Sequence, residues 1–168
     1  MISTQYIALA RIISTVYQLE HVPSVDTAWE EFINADKNAL MLTARLARSC
    51  FAELLRRDYA PDADSLFHLL EDLHIRKNKG YAGDNKDPWI NFRECVKFGV
   101  SPELGVAVRM CDKYMRYKVL RNNPEYDMVQ EGIADTLMDL LAYALIYICL
   151  DHEKKILTIE GTYAHSED

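Results

Sequence analysis

The sequence predicts an all-α protein, a helical bundle. Apolar residues recur at helical spacing through nearly the whole chain, with almost no alternating stretch. Proline, glycine and capping residues punctuate that pattern where helices end. The balance of 49% hydrophobic and 27% charged residues over 168 positions suits one domain with a sizeable core.

A first helix is expected through TQYIALARIISTVYQLE, broken at His21-Val22-Pro23. Ser24 or Asp26 then caps a short helix, TAWEEFINA. A longer one, KNALMLTARLARSCFAELLRRD, stops at the Ala60-Pro61 step, and Asp62 or Asp64 opens SLFHLLEDLHIRK. A loop, KNKGYAGDNKDPW, spans 77–89. Asp87-Pro88 introduces WINFRECVKF, Gly99 closes it, and Ser101-Pro102 starts ELGVAVRMCDKYMRYKVL. After Asn123-Pro124 comes DMVQEGIADTLMDLLAYALIYICLDH, and the tail holds a short strand or none. The expected organisation is a single domain over 1–168: N-terminal helices in 1–60, a core carrying the site in 62–150, and a tail at 152–168.

A net charge of −7 and a pI near 5.2 disfavour direct nucleic-acid binding, which calls for a basic surface. Cys50, Cys95, Cys111 and Cys149 show neither zinc spacing nor a disulfide framework; Cys111 and Cys149 are expected as buried thiols. The N-terminus lacks the basic start of a signal peptide, and the apolar run at 140–150 is too short to span a bilayer, so a cytoplasmic protein with no membrane role is expected.

Glu131, Asp135 and Asp139 fall at i, i+4 steps on one face of the last helix. Such a row can be a solvated acidic face. Here it runs into a stretch that is apolar all round, where carboxylates must be protonated, paired or bound to a cation. A hard divalent cation fits. Asp135 is expected to be the best shielded of the secure ligands, and Asp139, the deepest, the least secure. The preceding helix sets Arg109, Asp112, Lys113 and Arg116 on one face, with Leu104, Ala107, Cys111, Tyr114 and Met115 on the other. Antiparallel packing lets Asp112 join Glu131 and Asp135 around a metal, with Arg109, Lys113 and Arg116 facing phosphate oxygens. Lys77 and Lys79 add positive charge. His68 and His74 read as satisfied core or rim residues, and no phosphate-binding G-x-x-x-x-G-K-[ST] loop is present.

The run KNKGYAGDNKDPWINFRECVKFGVSPELGVAVRMCDKYMRY, followed by EGIADTLMDLLAYALI, resembles phage-encoded MazG-like nucleotide pyrophosphohydrolases and the related nucleotide-modification-associated domain. The resemblance covers roughly residues 65–150. It implies an all-α bundle assembled into dimers or tetramers, and Mg²⁺ or Mn²⁺ held by acidic residues of two helices. It also implies cleavage of a (d)NTP between the α- and β-phosphates, on purine deoxynucleotides such as dGTP or dATP, in phage nucleotide-pool remodelling in the host cytoplasm. Carried over, Asp112, Glu131 and Asp135 are catalytic and metal-binding, with Glu71 as a further carboxylate. The family's E-E-x-x-E is replaced here by RMCDKYMR, and the second acidic pair is spaced i, i+4 instead of i, i+3. In this reading Lys77 and Lys79 meet phosphates and Gly80 and Gly83 let backbone approach. Tyr81, Trp89, Asn91 or Phe92 then frame base or sugar, although Trp89 and Phe92 fit equally well as core anchors. A homo-oligomer is expected also because the last helix, apolar all round, needs cover on every side. The alternatives are a nucleotide-binding regulatory module that does not hydrolyse and a purely structural helical oligomer.

Overall fold

The computed structural model describes residues 4–16, 21–35, 39–128 and 130–164, the side chains of 155–164 excepted. Every regular element among them is helical: α1 (Thr4–Val16), α2 (Val25–Ile33), α3 (Ala39–Arg56), α4 (Ala63–Ala82), α5 (Ile90–Arg93), α6 (Pro102–Asn122) and α7 (Ile133–Ala164). Short 3-10 turns follow α5 and α6. The end of the first expected helix, at 17–20, lies outside the described residues.

Three starts are set by the caps that the sequence offers. Ser24 accepts from Thr27 N, Asp62 from Ser65 N and Ser101 from Leu104 N, each meeting an amide that the first turn leaves without a helical partner. Pro102 fills the first turn of α6, where its missing N–H costs nothing.

Helix α7 is the centre of the bundle. From Thr136 to Leu150 it is buried almost without interruption, Tyr143 and Tyr147 being the half-buried exceptions. It packs chiefly on α6 and α3 and also touches α1 and α4. The cover that the all-round apolar stretch needs is therefore supplied within the chain, so this helix does not call for a second copy. The helix also runs further than expected: the tail predicted as strand or coil continues α7 to Ala164. Its stretch Ile133–Lys154, 22 residues, contains an 18-residue window of mean hydropathy 1.8, long and apolar enough to cross a bilayer, where the run expected from the sequence was only 140–150. Since 72% of its apolar window lies inside the bundle, it is placed as a core helix.

Two further expectations change. The loop expected at 77–89 is shorter, because α4 continues through Ala82 and ends at Gly83, whose φ of 59° a side chain would strain. Lys77, Lys79 and Tyr81 thus stand on the last turns of a helix. Gly80 makes no close approach, since a Cβ there would meet nothing within 4 Å. On α6 the buried row is Val106, Met110, Tyr114, Tyr117 and Leu120, whereas Leu104, Cys111 and Met115, expected inside, are exposed. The true core face is rotated from the expected one because Lys113, beside Met110 and Tyr117, is drawn inward by carboxylates on the facing elements.

Candidate functional site

Asp139 is the focus of the charged side chains. It lies on the buried face of α7 with only 5% exposure, a position that a carboxylate holds only when paired. Lys77, from the C-terminal half of α4, contacts its Oδ1. Lys113, from the middle of α6, reaches its Oδ2 at 2.8 Å. One carboxylate thereby joins three helices. Lys113 also donates to Glu131 Oε1 at 2.9 Å. Burial alone would lower the pKa of this ammonium, but its hydrogen bonds to Asp139 and Glu131 outweigh that and raise it.

Glu131 stands just before α7 and is positioned by its backbone. Its N–H donates to Asp127 Oδ1 at 3.1 Å, and its carbonyl accepts from Arg116 Nη2 at 2.8 Å. Arg116 also binds Asp127 Oδ1 at 2.6 Å, tying the turn before α7 to α6. Asp135, expected to be the best-shielded acid, is exposed; Tyr59 donates to its Oδ1 at 3.1 Å. Burial, then the Asp135 carboxylate, holds the Tyr59 phenol above its ordinary pKa.

Two adjoining cavities meet at this network. The acidic one is walled by Glu131, Asp135 and Asp139 together with Tyr59, Arg76 and Lys77. The aromatic one is walled by Tyr81, Trp89, Asn91, Phe92 and Tyr143, with Asn78 and His74 deeper on α4 and Arg109 contributed by α6. Lys77 and Asp139 belong to both walls. Lys77 Nζ also lies 5.9 Å from the centre of the Tyr143 ring.

Of the residues expected at the site, the fold brings Lys77, Tyr81, Asn91, Arg109, Glu131 and Asp135 to these cavities, and Lys113 and Arg116 to the acids beside them. Three are not brought there. Asp112 points to solvent, its side chain 62% exposed and nearest Arg109 at 3.9 Å. It precedes Lys113 on α6 by one residue, about 100° around the helix, which turns it away from α7. Glu71 sits beside His68, 3.5 Å from its Nδ1. Lys79, two residues past Lys77 and so on nearly the opposite side of α4, pairs with Asp84. Asp139 and Tyr143, which the sequence reading left out of the site, are central to it. The i, i+4 spacing from Asp135 already carried the signal for both. Trp89 and Phe92 are core anchors and cavity walls at once.

A divalent cation can be tested against these donors. Among the described residues, no group of three or more His, Cys, Asp or Glu side chains is placed to hold a metal ion. Glu131, Asp135 and Asp139 share a cavity but are spread along its wall. Such a set does not make a cage for a resident ion. It does suit a cation that arrives on a polyphosphate and takes one or two carboxylates from the protein, the usual arrangement for Mg²⁺ with nucleotides.

His74 gives a stability test that does not depend on any ligand. Burial lowers its pKa from 6.5 to about 4. Between those values the unfolded chain binds a proton that the folded one refuses. Stability is therefore complete above the upper value and falls as pH drops through the window, by roughly 3 kcal/mol at most. Urea melts at neutral pH and at about pH 5 should show this loss, and His74→Phe, which keeps a flat ring, should remove the His74 share of it. An unchanged pH slope in that variant would rule the assignment out.

No protein-family model, no curated protein and no solved structure matches this chain.

Proposed function

We propose that this protein is a nucleoside triphosphate diphosphohydrolase, cleaving the α–β phosphoanhydride of a purine deoxynucleotide, dGTP foremost, to the monophosphate and pyrophosphate. One observation carries the reading: an aromatic cavity and an acidic cavity share Lys77 and Asp139, so a ligand with a flat ring and a charged tail spans both. The choice of cleaved bond and of base rests on the resemblance to MazG-like enzymes.

In this reading Tyr81, Phe92, Asn91 and Tyr143 enclose the nucleoside, while Lys77 and Arg109 meet phosphate oxygens. One or two of the carboxylates of Glu131, Asp135 and Asp139 would hold a substrate-borne Mg²⁺ or Mn²⁺, which would supply charge neutralisation and a more acidic bound water. Lys113 and Arg116 keep Glu131 in place, through its carboxylate and its carbonyl. The chain's own contribution is mostly positioning.

Purified protein incubated with each common ribo- and deoxyribonucleoside triphosphate and either cation should release pyrophosphate and monophosphate. Release of single phosphates would contradict the cleavage position, and undiminished turnover in excess chelator would contradict the cation. A second reading, a regulatory module that binds nucleotide without hydrolysis, is favoured by one feature: lysines already neutralise both oxygens of Asp139. It predicts tight binding with no products. Self-association is retained on a different surface. Leu104, Val108, Met115 and Val119 form one exposed row on the outer side of α6, and light scattering that shows only monomer would remove it.

A further inference from the structure

Two polar atoms on the α4 side of the aromatic cavity are buried with no hydrogen-bond partner among the described residues. Asn78 is 7% exposed; its Nδ2 donates to the Pro88 carbonyl at 2.8 Å, which fixes which end of the amide is which and leaves Oδ1 unbonded. One turn earlier His74 is 4% exposed, and its Nε2 is also unbonded. Tyr6 stacks on the imidazole, with ring centres 3.9 Å apart and planes 12° apart, and Trp89 lies tilted at 5.5 Å. The ring is thus gripped by its neighbours and left with a free edge. Burial keeps it uncharged at neutral pH.

Folded proteins rarely leave such atoms unsatisfied, because each forfeits the hydrogen bond it had with water. Both residues line the one cavity that also presents Tyr81, Phe92 and Tyr143, with Lys77 and Arg109 supplying positive charge. An uncharged ring with polar edges and an anionic tail matches that lining. A fatty chain would strand both polar atoms, and a free anion would bury its charge against aromatic rings.

We infer that Asn78, assisted by His74, reads the base of the bound nucleotide: the cavity takes a neutral heteroaromatic ring whose N–H donates to Asn78 Oδ1. This rests on the nucleotide reading above and adds to it the two residues that select the ring. Because Nδ2 is committed to Pro88, the amide cannot turn over to offer a donor without releasing the loop before α5. A base that presents only acceptors is therefore rejected.

The test uses α,β-methylene triphosphates, so that turnover does not interfere, with binding followed by calorimetry. The common nucleotide that binds best should exceed its unsubstituted purine riboside counterpart, which has no N–H on the base, by at least about tenfold. Asn78→Leu should lose that preference and bind both weakly. Its affinity for inorganic tripolyphosphate should stay at the wild-type value. Equal binding of the two rings by the wild-type protein, or a preference that survives Asn78→Leu, overturns the inference while leaving the nucleotide reading standing. If tripolyphosphate binds as tightly as any nucleotide, there is no base subsite. If neither binds, the nucleotide reading and this inference fall together. Should Asn78→Leu fail to fold, the comparison of rings on the wild-type protein decides alone.

Discussion

Asp139→Asn should lower the stability of the protein by about 2 kcal/mol and, under the proposed diphosphohydrolase function, abolish turnover. The change removes a charge that Lys77 and Lys113 share, leaving Lys77 facing an amide and Lys113 with Glu131, in a place with little water. Breaking a fully buried pair costs about 3–5 kcal/mol. The lysine side chains here are 35% and 20% exposed, so water recovers part of that and the smaller figure applies. Asp135→Asn, one turn away on the same helix but exposed, should change stability by less than about 0.5 kcal/mol. Urea melts of the two variants side by side check the contrast. Equal, small losses in both would mean that the Lys77–Asp139–Lys113 junction does not hold α4, α6 and α7 together.

The second large effect is expected at Trp89, 2% exposed between the loop and the core. Its ring lies against His74 and Tyr6, its Nε1 donates to Glu153 Oε1 at 3.3 Å, and its backbone N–H donates to Asp87 Oδ1 at 2.9 Å. Trp89→Ala should cost about 3–5 kcal/mol, the usual loss when a buried aromatic leaves a cavity. For a chain of this length that corresponds to a melting temperature lower by about 10 °C. Trp89→Phe, which keeps most of the apolar contact and loses the hydrogen bond, should lose clearly less. If alanine and phenylalanine are tolerated equally well by thermal melting, Trp89 is a lid over the cavity and not an anchor of the core.

The helices were legible because their ends carry local chemistry: Ser24, Asp62 and Ser101 cap where expected, and Pro61, Pro102 and Pro124 fall at boundaries. The end of α4 was not. Asn78 and Gly80 are poor helix formers, and they stay helical because Asn78 is tied to Pro88 and packs inside. That is a tertiary effect with no local mark. Part of the site was legible for the same reason as the helices. Asp135, Lys77, Arg109 and Lys113 lie on helical rows that face the site, and Glu131 stands in the turn just before α7. Asp112, Glu71 and Lys79 were misplaced because a face judged by charge alone drifts: one residue turns a helix by about 100°, as for Asp112 beside Lys113, and two residues by about 200°, as for Lys79 beyond Lys77. Asp139, as the deepest of the row, was expected to be its least secure ligand. What makes its depth tolerable is a pair of lysines 62 and 26 positions earlier in the sequence, a pairing that only the fold reveals.

The central place of α7 has a consequence for how the molecule comes into being. Ribosomal synthesis delivers α1 to α6 first, and the helix on which α3 and α6 both pack comes after all of them. Until it emerges, the apolar faces of Leu46, Phe51, Val106 and Met110 lack the surface that buries them. At the usual pace of about 5–20 residues per second, α7 alone takes seconds to be made. For that interval the nascent chain has only the contacts among its earlier helices, α2 on α3 and α1 on α3 and α4, and the faces that await α7 are open to chaperones and proteases.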